Sequence, residues 1–291
     1  MSIETLYNLH RASLFSLAYR MLGSVMDAED AVQEAFIRYS QLPDMASILN
    51  EKAFLHRMVT NRCLDLLRSS AKKRELYVGP WLPEPLIERG GVQEDPSEVY
   101  EQRESLSTAY LLLLQQLNAV ERAVFLLREI FHYSFEEIAE MVEKKSANCR
   151  QIYRRAQKSL THDPHELPSV TVAEESIRAF VQSLMKGHTE RLLELVSENV
   201  VFLSDGGGKV KAAQVPVRGW EQVVKLHQHL LATYAGHYTL DYVTVNGSPG
   251  LRIDLADGGQ FVYSFAYRNG QIDRIYAVAN PEKLQHLKQA K

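Results

Sequence analysis

The sequence predicts a multidomain chain: two all-α helical domains, the second with a helix-turn-helix, followed by an α+β cone. Three observations predict it. Residues 135–160, FEEIAEMVEKKSANCRQIYRRAQKSL, read as two short helices joined by a tight turn, the second strongly basic. Residues 75–98 hold four prolines and three glycines, so no helix runs through them. After residue 160 two amphipathic helices give way to strand-length runs, with hairpin chemistry at Asn246-Gly247, Asp257-Gly258-Gly259 and Asn269-Gly270. These breaks divide the chain into 1–74, a linker 75–99, 100–161, a second linker 162–170 and 171–291.

Composition bounds the partners. At 291 residues, 45% hydrophobic and 24% charged, the chain is long enough for two or three cores of a soluble protein. A net charge of -3 gives no global nucleic-acid signature, so contact with DNA must come from local patches. No apolar run has the length of a membrane span, and the start, MSIETLYNLHRASLF, reads as an amphipathic helix rather than a signal peptide. The expectation is a cytoplasmic protein with no membrane partner. Cys63 and Cys149 fall on apolar faces of different helices, and His162 and His165 lie in a proline-containing stretch. Neither pair supplies a metal-ligand set, so no metal and no cofactor are expected.

In chain order, Leu6, Leu9, Leu14, Leu17, Ala18 and Met21 predict a helix over 3–21, ended by Gly23-Ser24. Asp27 is placed to cap the next helix, DAEDAVQEAFIRYSQL, whose acids gather where the macrodipole favours them. Ala31, Ala35 and Ile37 can pack inward, which leaves Asp30, Gln33, Glu34 and Phe36 as a polar surface carrying one aromatic. That surface suits a docking partner or an ordinary bundle helix. Residues 53–74 form a third helix with Phe54, Leu55, Met58, Val59, Leu64 and Leu67 on its apolar face. Arg57, Asn61, Arg62 and Arg68 lie outside that face, and Lys72-Lys73-Arg74 closes the segment. Cations beside an amide can track a phosphate backbone and hydrogen-bond an unstacked base. A basic helix end favoured by the dipole explains much of the same pattern.

Inside the first linker, Trp81-Leu82-Pro83-Glu84-Pro85 is a stiff apolar string that either stays wet or docks, and proline stiffness favours docking. A leucine-rich helix over 100–117 follows, then Asn118 with Glu121 as a capping-box variant, leading to the helix-turn-helix. Phe135, Ile138, Ala139 and Val142 keep helical spacing, and Ser146 is a natural N-cap for the second helix. There Cys149, Ile152, Tyr153 and Ala156 face inward. Arg150, Gln151, Arg154 and Arg155 face outward, in a stretch (144–158) without an acid. Guanidinium and amide groups on one exposed helical face suit a major groove, where base edges and phosphates accept hydrogen bonds. A solvated basic face is the alternative.

The DAEDAVQEAF block, the AFLHRMVTNRCLDLLR helix and the helix-turn-helix come in the order of an extracytoplasmic-function (ECF) sigma factor, which the chain resembles over roughly residues 3–161. In that family the first two belong to the σ2 domain and the last to σ4. The resemblance implies core RNA polymerase as partner, through its β′ clamp and β flap, with Asp27, Asp30, Gln33, Glu34 and Phe36 at the clamp. It also implies promoter DNA: Asn61 and Arg62 at the melted −10 element, and Ser146, Asn148, Arg150, Gln151, Arg154, Arg155 and Lys158 at the −35 element.

Beyond residue 170, helices at 172–186, 188–196 and 220–234 are expected, with strands at 200–204, 209–217, 238–245, 251–255, 260–268 and 271–279. This order resembles the SnoaL-like branch of the NTF2 fold. The string Asp205-Gly206-Gly207-Gly208-Lys209 lacks the Ser/Thr and following helix of a phosphate-binding loop. With Trp81–Pro85 and the tail string Asn280-Pro281-Glu282-Lys283-Leu284, it resembles the sigma-factor group that carries a SnoaL-like extension. In that group these strings are thought to join the extension to the σ core and modulate its activity. Such a cone encloses a pocket, with Asp205, His227, His229, Tyr263 and Tyr267 as candidate polar groups. No tight acid–base pair stands out among them, so the chain is not expected to be an enzyme. A small-molecule ligand in the C-terminal domain stays open, as do a one-component helix-turn-helix regulator and a cyclase- or isomerase-like activity.

Overall fold

The computed structural model describes residues 2–43, 48–88, 106–160 and 168–288. Its contacts group the chain into two compact units, Met1–Glu75 with Leu113–Asp163 and Leu76–Leu112 with Pro164–Lys291. Expectations for residues 89–105 and 161–167, including His162 and His165, and for the Lys72-Lys73-Arg74 side chains fall outside the described residues.

The first unit is helical. Helix α1 (Ile3–Leu22) is capped by Ser2, whose hydroxyl accepts from the Thr5 amide at 3.1 Å, and ends at Gly23 with φ 68°. Ser24, not Asp27, caps α2 (Val25–Ser40): the Asp27 amide donates to the Ser24 hydroxyl at 3.1 Å. The helix therefore starts a turn earlier than expected, and Asp27 sits in its first turn. Three- and four-residue steps put Phe36 on the buried stripe with Val25, Ala28, Val32, Ala35 and Tyr39, at 5% exposure, while Ile37 is 57% exposed. The expected placement of these two side chains is thus reversed. Helix α3 (Glu51–Glu75) packs on both, burying Leu55, Val59 and Cys63.

Helix α4 (Thr108–Leu114) carries the chain from the second unit back into the first. Its described length is shorter than the 100–117 helix expected. Helix α5 (Ala119–Glu129) opens on the full Asn118–Glu121 capping box. Arg122, in its first turn, is 3% exposed and donates to the carbonyls of Leu114 (2.9 Å), Leu117 (3.2 Å) and Met21. A guanidinium shared among three carbonyls, one in the last turn of α1, compensates the desolvation of its charge. Helix α6 (Phe135–Met141) has a second capping box, Ser134 with Glu137, and α7 (Ser146–Leu160) packs on both α5 and α6 and buries Cys149, Ile152 and Ala156.

The second unit is built on a seven-stranded sheet in the order β1-β4-β5-β6-β7-β2-β3. The strands are β1 (Ile87–Glu88), β2 (Val196–Asp205), β3 (Val217–Arg218), β4 (Tyr238–Val245), β5 (Ser248–Leu255), β6 (Gln260–Arg268) and β7 (Gln271–Val278). All neighbours are antiparallel except β2 and β7. The hairpin turns hold Asn246 and Asn269 at φ 51° before Gly247 and Gly270 at φ 71° and 75°, the doubly positive geometry that tight hairpins need. The strand expected over 209–217 shrinks to β3, since residues 207–209 turn at Gly207 and Gly208 (φ 59° and 70°).

Strand periodicity sorts the two sheet faces. Phe261, Tyr263, Phe265 and Tyr267 of β6 point into a core closed by α8 (Val170–Lys186), α9 (Thr189–Leu195) and α10 (Trp220–Thr233). Val262 and Ala266 face the other way, into a second cluster with Val245, Tyr276, Val278, Leu284 and, from the proline-rich stretch, Leu82. One sheet therefore has two dry faces, and residues 81–88 and the tail cover the second.

Candidate functional site

The candidate side chains fall into three groups, two on the helical unit and one on the α+β unit. On the helical unit, Asn148, Arg150, Gln151, Arg154, Arg155 and Lys158 are exposed along α7, with Ser146 half-buried at its start. Arg150, Arg154 and Lys158 recur every fourth residue, and Gln151 and Arg155 form the adjoining row. The Ser146 hydroxyl caps nothing; it donates to Glu136 at 2.9 Å and accepts from Arg150 at 2.8 Å. Arg150 also pairs with Glu136 at 2.7 Å and lies over the Phe135 ring, and Arg155 pairs with Glu121 at 3.4 Å. The Ser146 hydrogen bond, with Arg150, holds the Glu136 carboxyl below the usual carboxylate range. Two of the outward arginines thus rest on carboxylates of their own helical unit, Arg150 on α6 and Arg155 on α5. Exposed pairs of this kind are weak and screened by salt, so a phosphate can replace either carboxylate.

On α2, Asp27, Asp30 and Gln33 are exposed and Glu34 is half-buried. Phe36 instead packs edge-on against Tyr7, with ring centroids 4.9 Å apart. Glu34 pairs with Arg62 of α3 at 2.6 Å and with Arg38 of its own helix. Asn61 and Arg62 are both half-buried. One expected polymerase-facing acid and one expected DNA-facing cation are therefore partners of each other.

The third group brings together three strings that are far apart in sequence. Asp205, at the end of β2 and fully buried, accepts from the Leu82 amide at 2.8 Å, from the Lys283 ammonium at 2.7 Å and from the Tyr77 hydroxyl. Its carbonyl accepts from the Ala279 and Asn280 amides, both at 2.8 Å. Lys283, 5% exposed, also donates to the Leu82 carbonyl and stands 3.7 Å from the centre of the Trp81 ring. Burial, then the bond to Asp205, raises the Tyr77 hydroxyl above its ordinary pKa. Pro83 and Pro85 are buried, Glu84 is half-buried, and Leu284 lies in the apolar cluster around Leu82.

The glycines make this approach feasible. A Cβ on Gly207 would stand 2.7 Å from Asn280 Cγ and 3.0 Å from the Tyr77 hydroxyl; one on Gly206 would stand 2.7 Å from the Val210 carbonyl. Lys209 pairs with Glu282 at the exposed edge, and Pro281 is half-buried beside it. Beyond this knot β1 extends the sheet, pairing Ile87 with Val245 and Glu88 with Thr244. Asn246, 1% exposed, accepts from the Leu86 amide at 2.7 Å and donates to Thr108 at 3.1 Å.

Sequence reasoning missed Tyr77, Asn246, Thr108 and the strand pairing. Asn246 carried only a turn signal, and a two-residue strand has no periodicity to read. The candidate acid–base groups also separate. His227 and Tyr263 line one cavity, Tyr267 is core, His229 is exposed, and Asp205 belongs to the knot just described. Among the described residues no three His, Cys, Asp or Glu side chains are grouped to hold a metal, and no helix is long and apolar enough to cross a membrane.

Sigma-70 region 2 matches residues 6–73 and Sigma-70, region 4 matches residues 107–160. The chain is 32% identical to the ECF RNA polymerase sigma factor SigJ of Mycobacterium tuberculosis over 94% of its own length and 90% of the relative's. It is 28% identical to the Probable ECF RNA polymerase sigma factor SigI of the same species, over 98% and 96% of the two chains. The crystal structure of M. tuberculosis SigJ superposes with a TM-score of 0.77 at 29% identity, covering 97% of this chain and 98% of that one.

Proposed function

The chain belongs to the ECF sigma factors, and we propose that it binds core RNA polymerase and reads a promoter with α7 while the α+β unit sets its output through residues 77–88. The observation that carries the reading is the exposed row of Arg150, Gln151, Arg154, Arg155 and Lys158 on a helix-turn-helix whose first helix opens on the Ser134–Glu137 capping box. On promoter DNA, Arg150 and Arg155 exchange Glu136 and Glu121 for phosphates, and Gln151 and Arg154 face base edges of the −35 element. Asn61, with Arg62, meets the −10 strand once Arg62 leaves Glu34. The exposed acids of α2, Asp27 and Asp30, and Gln33 meet the β′ clamp, and the helix-turn-helix domain meets the β flap. Phe36 contributes by fixing α2 on α1 rather than by touching the polymerase.

Support for the regulatory half comes from the knot around Asp205. It fixes residues 77–88, which join the region 2 and region 4 segments, to the carboxy-terminal sheet. A one-component regulator would also use α7 but has no need of the acidic face of α2.

The test is run-off transcription with core RNA polymerase on the upstream region of the protein's own gene. A transcript that requires the added protein is expected. Arg154→Ala should cut promoter use several-fold while core binding is unchanged. Arg155→Ala, which removes a phosphate contact, should lower the slope of log affinity against log salt by about 1. Loss of core binding in Arg154→Ala, or no transcript and no core binding by the native chain, would overturn the assignment.

A further inference from the structure

The helix-covered side of the sheet holds a cavity of ≈ 80 Å³ between α8, α10 and strands β4 to β6. At roughly 10–15 Å³ per water position, that is space for several waters or one small organic molecule. Its floor is Phe180, Leu184, Leu251 and Tyr263, all buried, and Tyr234 and Tyr238 stand half-buried at its rim. Apart from Phe261 and His227, the rest of the lining is aliphatic.

One polar group on this wall is unsatisfied. His227 of α10 is 7% exposed, its ring 4.8 Å from Phe202 and 6.0 Å from Tyr263. Its Nδ1 lies 2.7 Å from the Val223 carbonyl, one turn back on the same helix. A carbonyl only accepts, so Nδ1 carries the proton. Burial holds the ring below the ordinary histidine pKa, in its neutral form. The remaining nitrogen, Nε2, is then a lone pair, and it is buried without a partner. Leaving a buried acceptor unpaired is unfavourable, and a water there would find few of the two to four partners it needs among apolar walls.

We propose that this cavity binds a small, uncharged, largely apolar molecule carrying a hydroxyl or N–H, whose donor hydrogen meets His227 Nε2. The tautomer sets the selectivity. A carboxylate would bring charge against a lone pair in an apolar site, and a hydrocarbon of the same shape would leave Nε2 unpaired. A phenol or alcohol satisfies both the walls and the nitrogen. Ligand recognition here is independent of promoter use, so it can be tested whatever the transcription assay shows.

The experiment uses the full chain with ¹⁵N-labelled histidine and three probes of one shape: 4-ethylphenol, ethylbenzene and 4-ethylbenzoate. 4-Ethylphenol should shift the His227 Nε2 resonance saturably and bind about threefold to tenfold tighter than ethylbenzene, the span of one neutral hydrogen bond. 4-Ethylbenzoate should not bind. His227→Phe should erase the preference for the phenol, and Leu240→Trp, which fills the cavity from its half-buried wall, should abolish binding of both neutral probes. Equal affinity for the phenol and the hydrocarbon, an unmoved Nε2 resonance at saturation, or binding retained in Leu240→Trp would overturn the proposal. The resonance of the native chain decides the matter even if a variant fails to fold.

Discussion

His56 of α3 is fully buried, with Nδ1 donating to the Lys52 carbonyl at 2.8 Å and Nε2 accepting from the Ser13 hydroxyl at 3.0 Å. Its ring meets Phe131 and Tyr133, with centroids 5.1 and 5.6 Å away. Burial lowers its pKa from 6.5 to about 4, against the raising effect of the Lys52 carbonyl and with help from the charges of Lys52 and His10. In the unfolded chain the ring takes a proton near 6.5, and in the folded unit only near 4. The unfolded state therefore binds more protons in that window, and stability falls as pH drops through it, by at most about 3 kcal/mol. Hydrogen exchange of the α3 amides should show this loss of protection between pH 6.5 and 4, and His56→Phe should flatten it. Parallel profiles for native and variant chains would assign the acid sensitivity elsewhere. Nothing in the sequence pointed to His56 or to Arg122. Both are polar residues inside apolar periodicities, and a charge or a ring nitrogen reads as exposed until its carbonyl partners are known. The residues of α7 were legible because an amphipathic helix reveals its wet face directly.

At the scale of elements, the glycines of residues 206–208 separate two physical costs. Gly207 combines a left-handed φ of 59° with neighbours that leave no room for a Cβ, whereas Gly258, at φ 88°, has open space around it. Gly258→Ala should cost only backbone strain, about 1 kcal/mol. Gly207→Ala should cost more, and the damage should appear in the strings it touches. Exchange of the Leu82 amide, which Asp205 holds, should rise at least tenfold in Gly207→Ala and stay unchanged in Gly258→Ala. Equal responses would reduce the glycine run to a turn. The sequence announced β4 to β7 clearly, because alternation and Asn-Gly turns are local signals. It exaggerated β3 and hid β1, because a two-residue strand is defined by its partner. The start of β5 carried no alternation to read either: Ser248, Pro249 and Gly250 pair with β4, and Gly250 is needed because a Cβ there would meet the Tyr263 carbonyl.

For the molecule as a whole, the chain leaves the first unit after Glu75, crosses the second through Leu112, and returns to the first at Leu113. The described residues that follow region 2, 76–88, therefore belong by their contacts to the carboxy-terminal fold. If that attachment carries the regulation, breaking it from either side must give one result. Leu82→Asp places a carboxylate in the apolar cluster of Val245, Val262, Tyr276 and Leu284 and acts from the linker side. Lys283→Met leaves the buried Asp205 carboxylate without its cation and acts from the sheet side. Breaking a buried pair in this way costs about 3–5 kcal/mol, enough to release a short segment. Both variants should expose Trp81, read as a red shift of its fluorescence in a Trp220→Phe background. Both should also change run-off transcript yield in the same direction and to a similar extent, and the double variant should add little to either, because a segment already released cannot be released again. Changes of opposite sign, or effects that add in full, would mean that the α+β unit acts on transcription by a route other than residues 77–88.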